Sequence, residues 1–441
     1  MPHMTSASVP PAAPTGAMTG RAGGIIKLII GLVALAEIIA VGVWFIPRTH
    51  VGDMDVYENI AFSAASNSGT LESEYPPAVS AIFLILKILA PRADFTHVWV
   101  TFVICVLALA YFYCLRRAPS TAYLLPLGAL AAIQLLGIEV TLIRYDILVM
   151  IFLFLAWQMH AKGRFFAGAL CLAAAASLKI VPAVILPVMF VASSRIEWKK
   201  LAGGALAGFL IPVAAVFLLL GWHGTISNVT YMLGYHGARG IEVESFWSSL
   251  DLLWRNHAGQ MALLGFHHHA THNEDFGRAF SWVSGFAALI GIAIIYLHLW
   301  NRRFRPAKSN VEYWFLLLLW ITAVAPVFSP QYLIWSVPLI LMWVLDEMVA
   351  GRGAKQLRSL GLIALTAVII ALLTQWIFPS HFFSLNKQSS SVAIEVLVAR
   401  NLAMFVLIWL LGHHVQTAPV KSLSGAVRNE QTDPGKPSMG S

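Results

Sequence analysis

Charge is what this sequence has least of. Only 11% of its 441 residues are Asp, Glu, Lys or Arg, whereas soluble domains carry roughly 25%. That shortage excludes the two or three soluble domains that length alone would suggest. Cysteine is scarce too. Cys105, Cys114 and Cys171 all lie in apolar runs and form no CxxC pair, which excludes a disulfide framework. Alternation of apolar and polar residues is missing from the hydrophobic stretches, so a membrane-spanning β-barrel is excluded as well.

What is present is continuous apolar sequence. Hydrophobic residues make up 58% of the chain and the mean hydropathy is +0.74, enough for roughly a dozen helical spans of about 20 residues each. The expected fold class is an all-α, polytopic membrane protein. A net charge of +8 would fit a nucleic-acid binder, but the positive residues sit in short loops between apolar runs, where they orient membrane helices. No nucleic-acid partner is expected. No cleavable signal peptide is apparent. Residues 1–20, rich in Pro, Ala, Ser and Thr, and residues 415–441 read as disordered cytoplasmic tails flanking a single transmembrane domain at 21–414.

The first span runs from Ile25 to Ile46, with Arg21 and Lys27 at its inner end. Pro76 to Ala90 is apolar but short, at the length of an interfacial or re-entrant segment. If it crossed, Arg116, Arg117, Lys162 and Arg164 would fall outside, against the positive-inside rule. Keeping it from crossing places those four inside, together with Arg302, Arg303, Arg305 and Lys308. The other spans are then expected at about 97–115, 121–138, 146–160, 165–178, 180–194, 201–221, 279–300, 311–328, 331–347, 359–377 and 392–413, about twelve in all, with both termini cytoplasmic. Non-helical regions at 47–96, 222–278 and 378–391 face outward, as do turns at 139–145, Lys179 and 328–331.

Four constellations gather on that outer face. Asp53 and Asp55, spaced i, i+2, can share one side of an extended segment. They precede Tyr57, Glu74, Tyr75 and Pro76-Pro77, where a helix begins. An ordinary hydrated loop would read the same way. Arg144-Tyr145-Asp146 and Ser177-Leu178-Lys179 with Pro182 bring cations to helix ends. Such residues line a cavity or pair with acids at membrane depth. Arg144 pairing with Asp146 or Glu139, and Lys179 snorkelling, are the bland alternatives. Arg239-Gly240 and Glu244-Ser245-Phe246-Trp247 occupy the long second outer region, where the aromatics serve as interfacial anchors or stack on a ligand. Ser329-Pro330-Gln331-Tyr332 breaks two spans and offers hydrogen-bonding groups. His267-His268-His269 with His272 lacks a ligand pattern and reads as a solvated loop, so no metal is expected. Asn228-Val229-Thr230 fits a glycosylation sequon, which matters only in a eukaryotic secretory pathway.

Taken in order, these residues resemble the polyprenyl-phosphate-dependent glycosyltransferases of the GT-C superfamily, and among them glycosyltransferase family 87. The resemblance covers about residues 25–412. It implies a GT-C-type membrane fold with catalytic outer loops. The implied activity is transfer of a sugar from a polyprenyl-phosphate donor to a hydroxyl of a lipid-linked or cell-envelope glycan, by one inverting displacement. Mannose leads, with arabinose and glucose open. The resemblance makes Asp53 the catalytic acid after the first span, with Asp55 as the alternative. It implies no cofactor. The implied setting is a bacterial plasma membrane, with membrane lipids around the protein and the site facing outside. Lys179, Arg144 and Arg239 are the candidates for the donor phosphate, and Tyr57, Tyr75, Glu244, Gln331 and Tyr332 for substrate. Some members carry a His pair after the Ser-Pro break, where this sequence has Gln331 and Tyr332. Two other classes compete. A transporter or flippase of a lipid-linked saccharide would gather charges near the midplane, and a scaffold would need no particular outer acid.

Overall fold

The computed structural model describes residues 21–45, 52–66, 70–191, 193, 195–267, 270–276, 279–301, 310–351 and 353–417. The tail at 1–20, most of the tail at 415–441, the charged loop from Arg302 to Lys308, and His268-His269 lie outside the described residues. In chain order the helices are α1 (Arg21–Phe45), α2 (Gly52–Ala65), α3 (Pro77–Leu89), α4 (Phe95–Arg117), α5 (Leu124–Leu136), the single turn α6 (Ile138–Thr141), α7 (Asp146–Ala161), α8 (Phe165–Leu178), α9 (Leu186–Val191) and α10 (Arg195–Ala238). They continue with α11 (Phe246–His257), α12 (Ala279–Asn301), α13 (Val311–Val324), α14 (Val337–Val349), α15 (Ala354–Gln375), α16 (Phe382–Asn386) and α17 (Ser391–Thr417). Three short strands, β1 (Ile241–Glu242), β2 (Leu264–His267) and β3 (Ala270–Asn273), form an antiparallel sheet in the order β1-β3-β2.

The architecture is all-α and polytopic, as the apolar runs require. Seven helices among the described residues are long and apolar enough to cross a membrane. Each coincides with one of the expected spans. The other five expected spans match shorter apolar helices, and Pro77–Leu89 is the remaining short one. α7 is buried at nearly every position and forms the centre of the core with Trp99, Trp335 and Trp343, as befits a helix that is apolar all round. By contrast, α10 and α12 present Leu206, Phe209, Ile211, Leu218, Phe286 and Ile290 at the surface, an apolar exterior suited to lipid.

Three expectations about the regions placed outside are corrected. Asp53 and Asp55 lie in the first turn of α2, not in an extended segment. Acids are favoured there by the helix dipole, and two residues apart on a helix they diverge. The region 222–278 is also not free of helix. α10 continues to Ala238 through a kink at Gly221, where φ is +67°, a backbone conformation open to glycine. Its polar second half is held by packing on the 71–75 segment: Ser227 Oγ accepts from the Leu71 N–H (2.7 Å), and Asn228 Nδ2 donates to the carbonyls of Ser73 (2.9 Å) and Tyr75 (3.1 Å). Asn228 is therefore fully buried, and the sequon it begins is a structural clamp. In the last outer region, α16 replaces part of the expected loop at 378–391.

The close seam of the bundle is α8 against α10. Gly204 and Gly208, one turn apart on α10, lie against the backbone of Phe166 and Leu170 on α8, with no room for a Cβ at either glycine. Small residues at this spacing let membrane helices approach. Gly204→Leu or Gly208→Leu should each destabilise the protein by about 1–3 kcal/mol through overpacking, read as a lower unfolding midpoint in detergent. An unchanged midpoint for both would place the seam elsewhere.

Candidate active site

A cavity of about 1110 Å³ lies among α2, the segment entering α3, the α6–α7 turn, the end of α8, α10, β1 and the turn at Pro330–Trp335. Most charged side chains of its lining project from helix ends and short turns, while Phe209, Val213, Val216, Phe217, Val229 and Leu233 of α10 supply an apolar wall.

The first acid–base pair joins α2 to the α6–α7 turn. Arg144 forms an ion pair with Asp53, both side chains being about one-fifth exposed. Buried Ile143 and Tyr145 on either side hold Arg144 in place. Asp55 is exposed and absent from the cavity lining. The expected pairing of Arg144 with Asp146 or Glu139 is replaced by this longer-range contact.

The second pair is deeper. α8 ends at Leu178, and Lys179 follows in extended backbone (φ −151°, ψ 125°) that turns its side chain into the core. Its ammonium donates to the Tyr145 hydroxyl (3.0 Å) and lies 3.5 Å from Asp146 Oδ1. Trp335 Nε1 donates to the same carboxylate oxygen (2.7 Å). The rings of Tyr145, Tyr332 and Trp335 have their centroids 4.9–5.2 Å from the ammonium, within cation–π range. Lys179 is thus anchored rather than snorkelling.

The opposite wall follows α10. His236 contacts the Glu74 carbonyl (3.2 Å), and Arg239 Nη2 stands 3.9 Å from Glu242 Oε2. Glu242 is fixed by the sheet, where it faces His272 across the strands, and by its own N–H, which donates to the Pro326 carbonyl (2.9 Å). Burial pushes the Glu242 carboxyl up to about 8, against the pull of Arg239 and Arg400 and with Glu244 adding to the rise. Glu244 has a different role. Arg400 of α17 grips its carboxylate (3.0 Å) and its carbonyl (2.6 Å), and stacks on Phe328 at 3.8 Å. Burial raises the Glu244 carboxyl above its ordinary range while Arg400 opposes the rise.

Of the sequence-predicted residues, Asp53, Tyr75, Arg144, Lys179, Arg239, Glu244, Gln331 and Tyr332 line one cavity. Asp55 and Tyr57 do not. Tyr57 is fully buried behind the wall, stacked on Phe83 (4.3 Å) and edge-on to Tyr75 (5.3 Å). Sequence reasoning missed Glu242 and Arg400. An acid three residues after Arg239 was a weak signal for the first. An arginine inside the apolar run of α17 was a stronger signal for the second, since such residues seldom lack a partner. No group of three or more His, Cys, Asp or Glu suited to a metal occurs among the described residues.

The Arg400–Glu244 pair sets the position of the Glu242 segment. Arg400→Met should cost about 3–5 kcal/mol, because it leaves a buried carboxylate without its counter-charge. Adding Glu244→Gln should recover part of that loss. Thermal unfolding of the two variants checks it; equal midpoints for Arg400→Met and wild type would deny the pair its structural role.

Comparison with curated proteins gives no match. The model of glycosyltransferase family 87 matches residues 74–330, which takes in Glu74, Arg144, Lys179, Arg239, Glu242 and the Ser329-Pro330 break. With more than half of its length matched and an all-α fold built of membrane-spanning helices, the chain belongs to glycosyltransferase family 87.

Proposed function

We propose that this membrane glycosyltransferase takes a hexose, with mannose as the leading candidate, from a polyprenyl-phosphate carrier and transfers it to a hydroxyl of a lipid-linked or cell-envelope glycan, on the outer face of a bacterial plasma membrane. One observation carries the reading: a single cavity combines an acid at a helix start and three partly buried cations with an apolar wall several turns long. A carrier of this kind is itself divided into a phosphate and a hydrocarbon chain, and the α10 wall is suited to the chain.

The chemistry follows from the charges. The acceptor hydroxyl oxygen attacks the anomeric carbon, and the bond from that carbon to the phosphate oxygen breaks. Asp53 takes the hydroxyl proton. Polyprenyl phosphate departs with the electron pair, and fixed cations in a low-dielectric site stabilise the growing negative charge. Lys179 is the best placed of these, because Asp146 and three rings hold it still before substrate arrives. Arg144 has two tasks: it orients Asp53 and adds positive charge near the leaving group.

Two substitutions separate the roles. Asp53→Asn keeps the side-chain size but removes the base, so turnover should fall by about 100-fold or more with carrier binding retained. Lys179→Ala should weaken binding of the carrier by about 1.5–3 kcal/mol, the worth of a charged hydrogen bond. A stable Asp53→Asn variant with wild-type turnover would remove the base. If Asp55→Asn were then inactive, the assignment would move to Asp55, two residues along α2.

The outer-face assignment has its own test. In a chain whose three native cysteines are replaced by alanine, a cysteine at position 55 should react with an impermeant thiol reagent added outside intact cells, while one at 117 should not. Reaction at 117 alone would invert the topology.

A further inference from the structure

Resting on the lipid-phosphate reading above, the cavity divides further. On its wall, besides the paired Asp53, three buried polar atoms have no hydrogen-bond partner: Arg239 Nε, Glu242 Oε2 and Gln331 Oε1. Glu242 and Gln331 are each no more than 9% exposed. Unmet groups of this kind are costly in a folded interior, at about 1–3 kcal/mol each, and a cluster of them on a cavity wall calls for a ligand that completes it. All three come from one region. Arg239 and Glu242 flank the turn after α10, and the Glu242 N–H is tied to Pro326 at 2.9 Å, just before the turn that carries Gln331.

The chemistry of the trio is not that of a phosphate site. An N–H donor, a carboxyl group and an amide oxygen acceptor stand together. The unpartnered Gln331 Oε1 would direct oxygen lone pairs at an anion, as would Glu242 whenever it is ionised. Near neutral pH the Glu242 carboxyl keeps its proton, so it offers both a donor and an acceptor. Groups facing it are Arg239 and Glu244 on its own segment, Tyr235 from α10, Arg144 from the α6–α7 turn, Arg400 from α17, Tyr332 from the Pro330–Trp335 turn and His272 from β3. The matching ligand is neutral and rich in hydroxyl groups, each of which both donates and accepts. Tyr332, stacked on Trp335 at 4.9 Å, adds an aromatic edge to the same wall.

We propose that Arg239, Glu242 and Gln331 form a subsite for the hydroxyl groups of a sugar ring, distinct from the phosphate-facing pair Arg144 and Lys179. Arg239 thereby leaves the phosphate set and becomes, with Glu242, a determinant of which sugar is accepted. The ring belongs either to the carrier or to the acceptor glycan.

The test uses the purified full chain in lipid nanodiscs. The probes are a synthetic polyprenyl phosphate, its mannosyl, glucosyl and arabinosyl esters, and octyl α-mannoside. In the wild type the preferred ester should bind more tightly than the bare carrier. Glu242→Ala should erase about tenfold of that advantage and leave the bare carrier unchanged, while Glu242→Gln, which still donates and accepts, should stay within about threefold of wild type. That pattern assigns the subsite to the carrier's sugar. If the advantage persists and affinity for octyl α-mannoside falls instead, the subsite serves the acceptor's sugar. Equal loss for ester and bare carrier, or no loss for any probe, would overturn the subsite while sparing the lipid-phosphate reading. Failure of the wild type to bind any carrier would overturn both.

Discussion

A charge held away from water in a membrane protein is stable only against a counter-charge, and the arrangement of this site follows from that constraint. Three ion pairs satisfy it: Asp53 with Arg144, Asp146 with Lys179, and Glu244 with Arg400. Each joins segments far apart in sequence. Together they tie the helix after the first span, the central helix α7, the turn after α10 and the last helix α17 around one cavity. Packing alone could hold those elements at many registers. Removal of either member of a pair strands the other, so the pairs select one register.

The same constraint separates what could be read from the sequence from what could not. The membrane class follows from composition, because apolar runs of span length have few other fates. That Asp53, Arg144, Lys179 and Arg239 belong to one site was legible from where they interrupt those runs. Pairing does not follow. Arg144 has an acid two residues away at Asp146, yet meets Asp53 across 91 positions of chain. Local spacing carries no information about which helix ends converge. The helical state of 222–238 was hidden for a related reason. Its Ser227 and Asn228 look like loop residues, and the 71–75 segment supplied by the fold ties both to the rest of the structure. Glu244 and Glu242 exchanged importance likewise: two acids two residues apart look alike until Arg400 claims one of them.

That exchange bears on how one cavity could take both the anionic lipid and the neutral sugar proposed for it. Where a cation is firmly matched, as Lys179 is by Asp146, an arriving phosphate adds a second anion to a preorganised centre, and the reorganisation on binding is small. Where the match is loose, as at Arg239 and Glu242, the carboxyl escapes the cost of a buried charge by keeping its proton. The wall then sets one cation, Arg239, beside the neutral hydrogen-bonding groups of Glu242 and Gln331. Tight pairing on one side and protonation on the other are two solutions to the same desolvation cost, and they generate unlike surfaces within a single pocket. The apolar wall of α10 completes the division, since its residues 209–233 form no part of either charged cluster. On the proposed reading, the hydrocarbon chain, phosphate and sugar ring of one carrier would each meet a surface of matching character, which would orient it before the reacting atoms come into line.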